Sequence, residues 1–233
     1  MKINPISQNL VYRKNALQNT EFQPRIFNSG IDLISFRAKE SQAKIYARIK
    51  AAIAEKESGE IKVLIGKNRI QKRVKELAKE INKDYKDEDI YMVCVLNGAK
   101  PFAQDLATAM GKEIDGTVKI KSFEGTSSTG VLNFKEKNLS GIEFYDNILI
   151  IEDIVDSGRT MNLLLSKLSK EYPDKDIKIC TLLDKPDARF PENKDLKLDY
   201  VGFKIKKDFV LGYGLDYYED GRELENIYKV KFK

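Results

Sequence analysis

The apolar residues of this chain fall into two alternating periods. Ile45, Ile49, Ala52 and Ile53 recur at i, i+4, i+7 and i+8, which places them on one face of a helix. A short run from Ile61 to Ile65 predicts a strand, and Ile70, Val74, Leu77 and Ile81 predict a second amphipathic helix. The unbroken apolar run from Ile90 to Leu96 predicts a buried strand. It stops at Asn97-Gly98-Ala99, and Pro101 then suits the first turn of a helix with Phe102 and Leu106 on one face. A short strand from Val118 to Ser122 runs into a polar, small-residue loop, Glu124-Gly125-Thr126-Ser127-Ser128-Thr129-Gly130. An all-apolar strand from Ile148 to Ile151 is followed by Met161, Leu164, Leu165 and Leu168 at helical spacing, and then by a strand from Ile177 to Leu183. Tyr200 to Phe203 and Phe209 to Gly212 read as short late strands. Strands alternating with helices predict an α/β fold, a parallel twisted sheet covered by helices on both faces.

The first forty residues do not share this pattern. They hold eight Asn/Gln and scattered apolar residues without a period, so residues 1–40 are expected to be a mostly disordered N-terminal extension and residues 41–233 the folded domain. There is no lysine-flanked apolar stretch of secretory type and no apolar run long enough for a membrane span. Of 41 Lys/Arg and 36 Asp/Glu, the extension takes six and three, which leaves 35 against 33 for the rest. That near-neutral body argues against a broad nucleic-acid footprint, while a local basic site for a phosphorylated small molecule remains open. The two cysteines, Cys94 and Cys180, sit inside apolar runs and suit buried strand positions in a reducing, cytoplasmic protein.

The chain has no histidine. Mechanisms that need an imidazole base or ligand are excluded, so proton transfer would fall to Asp, Glu, Lys or Tyr. The most informative segment is Ile148-Leu149-Ile150-Ile151-Glu152-Asp153-Ile154-Val155-Asp156-Ser157-Gly158-Arg159-Thr160. An apolar strand ends in paired carboxylates, and a short polar loop leads into a helix. Such a loop aims backbone N–H groups and the positive helix end at one point, an anion site, and Ser157 and Thr160 add hydroxyls. It has neither the P-loop nor the dinucleotide glycine spacing. Carboxylates beside an anion site suit a diol, a magnesium ion or a proton to be taken, so a phosphorylated sugar is the implied ligand. The plain alternative is a capped helix with two solvated acids.

This segment resembles the 5-phosphoribosyl-1-pyrophosphate (PRPP) motif of type I phosphoribosyltransferases. Val95-Leu96-Asn97-Gly98-Ala99, Ile120-Lys121-Ser122-Phe123, Leu182-Leu183-Asp184-Lys185-Pro186 and the stretch from Tyr200-Val201-Gly202-Phe203 to Asp216-Tyr217 follow the order seen in hypoxanthine–guanine phosphoribosyltransferases. The resemblance spans about residues 45–230. It implies the type I fold with a small hood, and an enzyme that joins hypoxanthine or guanine to PRPP, giving IMP or GMP and pyrophosphate. Asp156 is implied as the group that accepts or positions the purine proton. Glu152 and Asp153 would bind the ribose hydroxyls, partly through magnesium, with Asp156, Ser157, Gly158, Arg159 and Thr160 around the 5′-phosphate.

The same resemblance implies that Leu96, Asn97, Gly98 and Arg222 hold pyrophosphate, with a cis bond before Asn97. Lys185, Tyr200 and Val201 would read the purine. Ser122, Phe123, Glu124, Gly125, Thr126, Ser127, Ser128, Thr129 and Gly130 would form a lid. Phe123 stands where the family usually has Tyr, and Lys206-Lys207 replaces a usual carboxylate, leaving Asp208 as the candidate second metal ligand. The expected partners are PRPP and a 6-oxopurine, in a cytoplasmic homodimer or homotetramer without nucleic acid or membrane. A xanthine-preferring relative and a PRPP-fold RNA-binding regulator are the other readings. The purine-reading residues and the near-neutral body weigh against the regulator.

Overall fold

The computed structural model describes residues 40–57, 59–86, 88–120 and 134–232. The expected extension, apart from Glu40, and the expected lid 122–130 lie outside these residues. The central sheet has six strands: β2 (Ile90–Leu96), β3 (Gly116–Ile120), β4 (Phe134–Asn138), β5 (Asn147–Val155), β6 (Asp176–Asp184) and β7 (Tyr200–Lys204). Their order is β4-β3-β2-β5-β6-β7, and all pairs are parallel except β3 with β4. β1 (Glu60–Ile65) does not join it. It pairs antiparallel with β9 (Ile227–Lys231), which also pairs with β8 (Phe209–Leu211) in a separate three-stranded sheet. The strand expected at 148–151 is longer, because β5 continues through Glu152 and Asp153 to Val155 and gains a neighbour, β6, along its whole length.

Side-chain alternation builds the layers. Along β2, Ile90, Met92 and Cys94 face one side and meet α2 (Lys67–Asp84) and α3 (Lys100–Met110) through Ile70, Leu77, Phe102 and Leu106. Tyr91, Val93 and Val95 face the other side and meet α4 (Arg159–Glu171) through Met161, Leu164 and Leu168. Both faces are dry, which is why these strands read as continuous apolar runs instead of alternating ones. α1 (Gln42–Glu57) packs Ile45, Ile49 and Ile53 against Leu211, Tyr228 and Val230 of the small sheet. Cys94 and Cys180 are free and buried, as expected. Burial pushes the Cys94 thiol up to about 12, so neither serves as a nucleophile.

After β2 the chain crosses by α3 to β3, on one side. After β5 it crosses by α4, on the opposite face, to β6, on the other side. The connections therefore diverge between β2 and β5. A crevice opens at the carboxyl ends of these two strands, the place where open α/β sheets bind ligands.

Candidate active site

The two loops that flank this crevice are Leu96-Asn97-Gly98 and Asp156-Ser157-Gly158. The Leu96–Asn97 peptide is cis. Cys94 pairs with Ile151 in the β2–β5 register, so two residues on, Leu96 and Asp153 stand at the same level. Gly98 lies directly against Asp153: a Cβ on Gly98 would stand 1.7 Å from Asp153 Oδ2. The first loop and the carboxylate pair thus form one surface.

Glu152 is buried beside Asp153. Burial, followed by the adjacent Asp153 charge and a hydrogen bond with it, holds the Glu152 carboxyl well above the usual carboxylate range. Between the ordinary carboxylate range and that raised value, the folded protein holds on Glu152 a proton that the unfolded chain releases. This stabilises the fold at low pH, and the contribution is lost as pH rises from the ordinary carboxylate range through the folded value. Glu152→Gln cannot ionise. Its melting temperature is expected to exceed that of the parent at neutral pH, with the gap closing toward pH 4. Scanning calorimetry across that range checks the sign, and a constant gap would refute it.

β5 and β6 run parallel with Val155 opposite Asp184. The next residues, Asp156 and Lys185, therefore emerge side by side. Lys185 Nζ sits 2.7 Å from Asp156 Oδ2, the lysine buried and the carboxylate half-exposed at the crevice. Gly158 caps α4 at φ 80°, and a Cβ there would stand 3.0–3.1 Å from Asn193 and Arg189, a position a larger residue could not take without strain. The Ser157 hydroxyl accepts from the Arg159 N–H at 3.4 Å. The Arg159 guanidinium lies over the Phe190 ring, so what Arg159 turns to the loop is its backbone N–H.

Arg222 enters from the segment between β8 and β9. Its Nη1 donates to the Gly214 carbonyl at 2.9 Å, and Nη2 lies 2.8 Å from Asp216 Oδ1. Gly214, at φ 98°, abuts the first loop: a Cβ there would stand 2.0 Å from the Gly98 carbonyl oxygen. Tyr213 holds this contact by donating to Asp105 Oδ2 on α3, which also accepts from Gln71. Leu96, Asn97, Gly98, Glu152, Asp153, Asp156, Ser157, Gly158, Arg159, Thr160, Lys185 and Arg222 all belong to the segments that gather at this end of the sheet.

Tyr200 and Val201 do not. Tyr200 pairs with Cys180, five residues before Lys185, so it sits roughly 16 Å down the strand at about 3.3 Å per residue. Its ring is in the core, 6% exposed, with the hydroxyl on Asp84 of α2. Burial and that acidic partner raise its pKa. The Val201 carbonyl accepts from Arg73. The assignment of these two residues to the purine is corrected accordingly. Asp208 lies in the connection between β7 and β8, whereas the carboxylate beside Arg222 is Asp216. Sequence reasoning passed over Asp216, Phe209 and Arg189. Asp216 carried a signal, since it stands six residues before Arg222 in a glycine-rich bend.

Comparison with known proteins bears on this geometry. Residues 65–218 match the phosphoribosyl transferase domain family. The chain is 41% identical over 195 residues to the hypoxanthine-guanine phosphoribosyltransferase of Mycobacterium avium, covering 78% of this chain and 94% of that protein. It is 42% identical over 168 residues to the enzyme of the same name from Bacillus subtilis, covering 71% and 91%. Among solved structures, a hypoxanthine phosphoribosyltransferase from Staphylococcus aureus superposes with a TM-score of 0.65 at 35% identity, covering 73% of this chain and 91% of that one.

Proposed function

Since the chain belongs to the phosphoribosyltransferase family, on its hypoxanthine–guanine branch, we propose that it transfers the 5-phosphoribosyl group of PRPP to hypoxanthine or guanine. The observation that carries this is the Asp156–Lys185 pair standing at the head of the α4 loop. A base entering there meets a carboxylate and an ammonium at once. Lys185 donates to the 6-oxo oxygen, and Asp156 accepts the ring proton as the base nitrogen bonds to the anomeric carbon and pyrophosphate leaves. The amino group of adenine cannot accept the Lys185 bond, so a buried lysine here selects 6-oxopurines. The ion pair must open to admit the base.

In this reading the backbone N–H groups and hydroxyls of Ser157, Gly158, Arg159 and Thr160 hold the 5′-phosphate at the start of α4. Glu152 and Asp153 take the ribose hydroxyls. The Leu96-Asn97-Gly98 loop and Arg222 take the pyrophosphate. No group of three or more His, Cys, Asp or Glu that could hold a metal occurs among the described residues. Two carboxylates short of a full cage suit magnesium, which shares its shell with phosphate oxygens and water. Glu152 and Asp153 would hold it, and when bound it neutralises charge on the leaving pyrophosphate. Asp216, beside Arg222, is the better candidate than Asp208 for a second contact.

Phe209, which opens β8, is 39% exposed. It replaces Tyr200 in this reading as the ring available to a base. Phe209→Ala is expected to raise KM for hypoxanthine roughly tenfold, the loss of about 1–3 kcal/mol that base stacking contributes. Tyr200→Phe should leave that KM unchanged, and the reverse outcome restores Tyr200. The whole reading is tested by pyrophosphate release from PRPP and magnesium with hypoxanthine, guanine, xanthine and adenine in turn. Release with the first two and little with adenine is expected. Adenine used efficiently would overturn it, and xanthine preferred would move the enzyme to the related specificity. Light scattering decides between a cytoplasmic homodimer and a homotetramer.

A further inference from the structure

Arg189 is assigned no ligand of its own above, yet it is fastened to the loop that carries the ligand groups. Its Nη1 donates to the carbonyls of Val155 and Asp156, at 2.7 and 2.5 Å, and its Nη2 lies 2.6 Å from Asp184 Oδ1. Both side chains of this ion pair are 8% exposed. The next carbonyl, that of Ser157, accepts from the Phe190 N–H and from Asn193 Nδ2, each at 3.1 Å. Asn193 is itself buried and held by Asn162 of α4. Three consecutive carbonyls, 155 to 157, are thus drawn toward one short segment, 189–193.

The peptide unit is planar and trans, so the C=O of one residue and the N–H of the next point in opposite directions. Drawing the carbonyls of Val155, Asp156 and Ser157 back to the 189–193 segment turns the N–H groups of Asp156, Ser157 and Gly158 the other way. Successive N–H groups aimed outward form an anion-binding concavity. A free loop would turn some carbonyls toward the phosphate and repel it. We propose that Arg189 is a positioning residue for PRPP: its fork sets the loop so that the N–H groups meet the 5′-phosphate. Through Asp184 it also braces the residue next to Lys185. A lysine has one point charge and cannot span two carbonyls and a carboxylate with a planar fork.

The proposal rests on reading Ser157–Thr160 as the 5′-phosphate loop, and the experiment separates the two. Ribose 5-phosphate serves as the probe of the loop alone, by competition against PRPP, beside KM for PRPP and for hypoxanthine. Arg189→Lys is expected to weaken ribose 5-phosphate and to raise KM for PRPP at least tenfold, with KM for hypoxanthine changed less than twofold. Arg189→Ala with Asp184→Ala removes both buried charges together, avoids leaving one alone, and should show the same split. Added guanidinium should recover part of the loss in the double variant. An unchanged ribose 5-phosphate affinity in folded Arg189→Lys, or KM values that rise together, overturns the role. Collapse of both variants on heating at ordinary temperatures overturns it too, since Arg189 would then serve the fold as a whole. The parent protein is the control: if ribose 5-phosphate fails to compete with PRPP there, the reading of the loop has failed, whatever Arg189 does.

Discussion

Asp156→Asn is expected to lower turnover by roughly 10²- to 10⁴-fold, the loss that follows removal of a positioned general base. The amide keeps the size of the side chain and an oxygen within reach of Lys185 Nζ, now 2.7 Å away. The buried ammonium therefore keeps an acceptor, and the fold should survive. What disappears is the ability to take the purine proton. PRPP affinity should change far less, because the phosphate is read through backbone N–H groups and hydroxyls. Steady-state kinetics with both substrates varied will show a fall in kcat with KM for PRPP within a few-fold. Near-normal turnover would mean that Asp156 serves only as the partner of Lys185.

The second large effect is expected at Gly98. A methyl group there would stand 1.7 Å from Asp153 Oδ2 and 2.7 Å from its Cγ, distances no relaxed structure tolerates. Either Asp153 turns away from the ribose position or the 96–98 loop lifts from the crevice. Each moves a ligand-holding group by an ångström or more, a displacement that costs on the order of 10²-fold in rate. Gly98→Ala should lose that much kcat/KM for PRPP while melting close to the parent, since the crevice is outside the core. Gly66→Ala is the matched control. Its added methyl would meet nothing nearer than 3.8 Å, and its φ of −76° suits any residue. Equal activity of the two variants would refute the steric argument.

The layered sheet was legible because its central strands, β2 and β5, are buried on both sides. Tyr91, Val93 and Val95 are as apolar as Ile90, Met92 and Cys94, so the run stands out from its surroundings. Glu152, Asp153 and Asp156 were legible for the opposite reason, as acids where apolar residues would ordinarily continue the strand. The resemblance added roles for Lys185, Arg222 and the 96–98 loop that no periodicity carries. Tyr200 misled because a ring in a strand looks the same whether its face meets a ligand or Asp84. Only the register with Cys180 separates the two. Arg189 was invisible, since an arginine between Ala188 and Phe190 reads as a solvated charge until its three acceptors are in place. The pairing of β1 with β9 joins segments about 170 residues apart, and no local pattern announces it.

The middle strand of the small sheet is β9, flanked by β1 and β8. The arm that brings Gly214, Asp216 and Arg222 to the crevice is strung between β8 and β9. During synthesis the central sheet can therefore assemble first, with its phosphate loop formed, while the pyrophosphate side of the crevice still lacks its wall. Only when Ile227–Lys231 leaves the ribosome can β1 and β8 find their common neighbour. A chain that stops before Ile227 should hold ribose 5-phosphate and yet transfer nothing. Competence for the reaction would thus depend on β9, which joins the two outer strands of the small sheet and anchors the arm that carries Arg222.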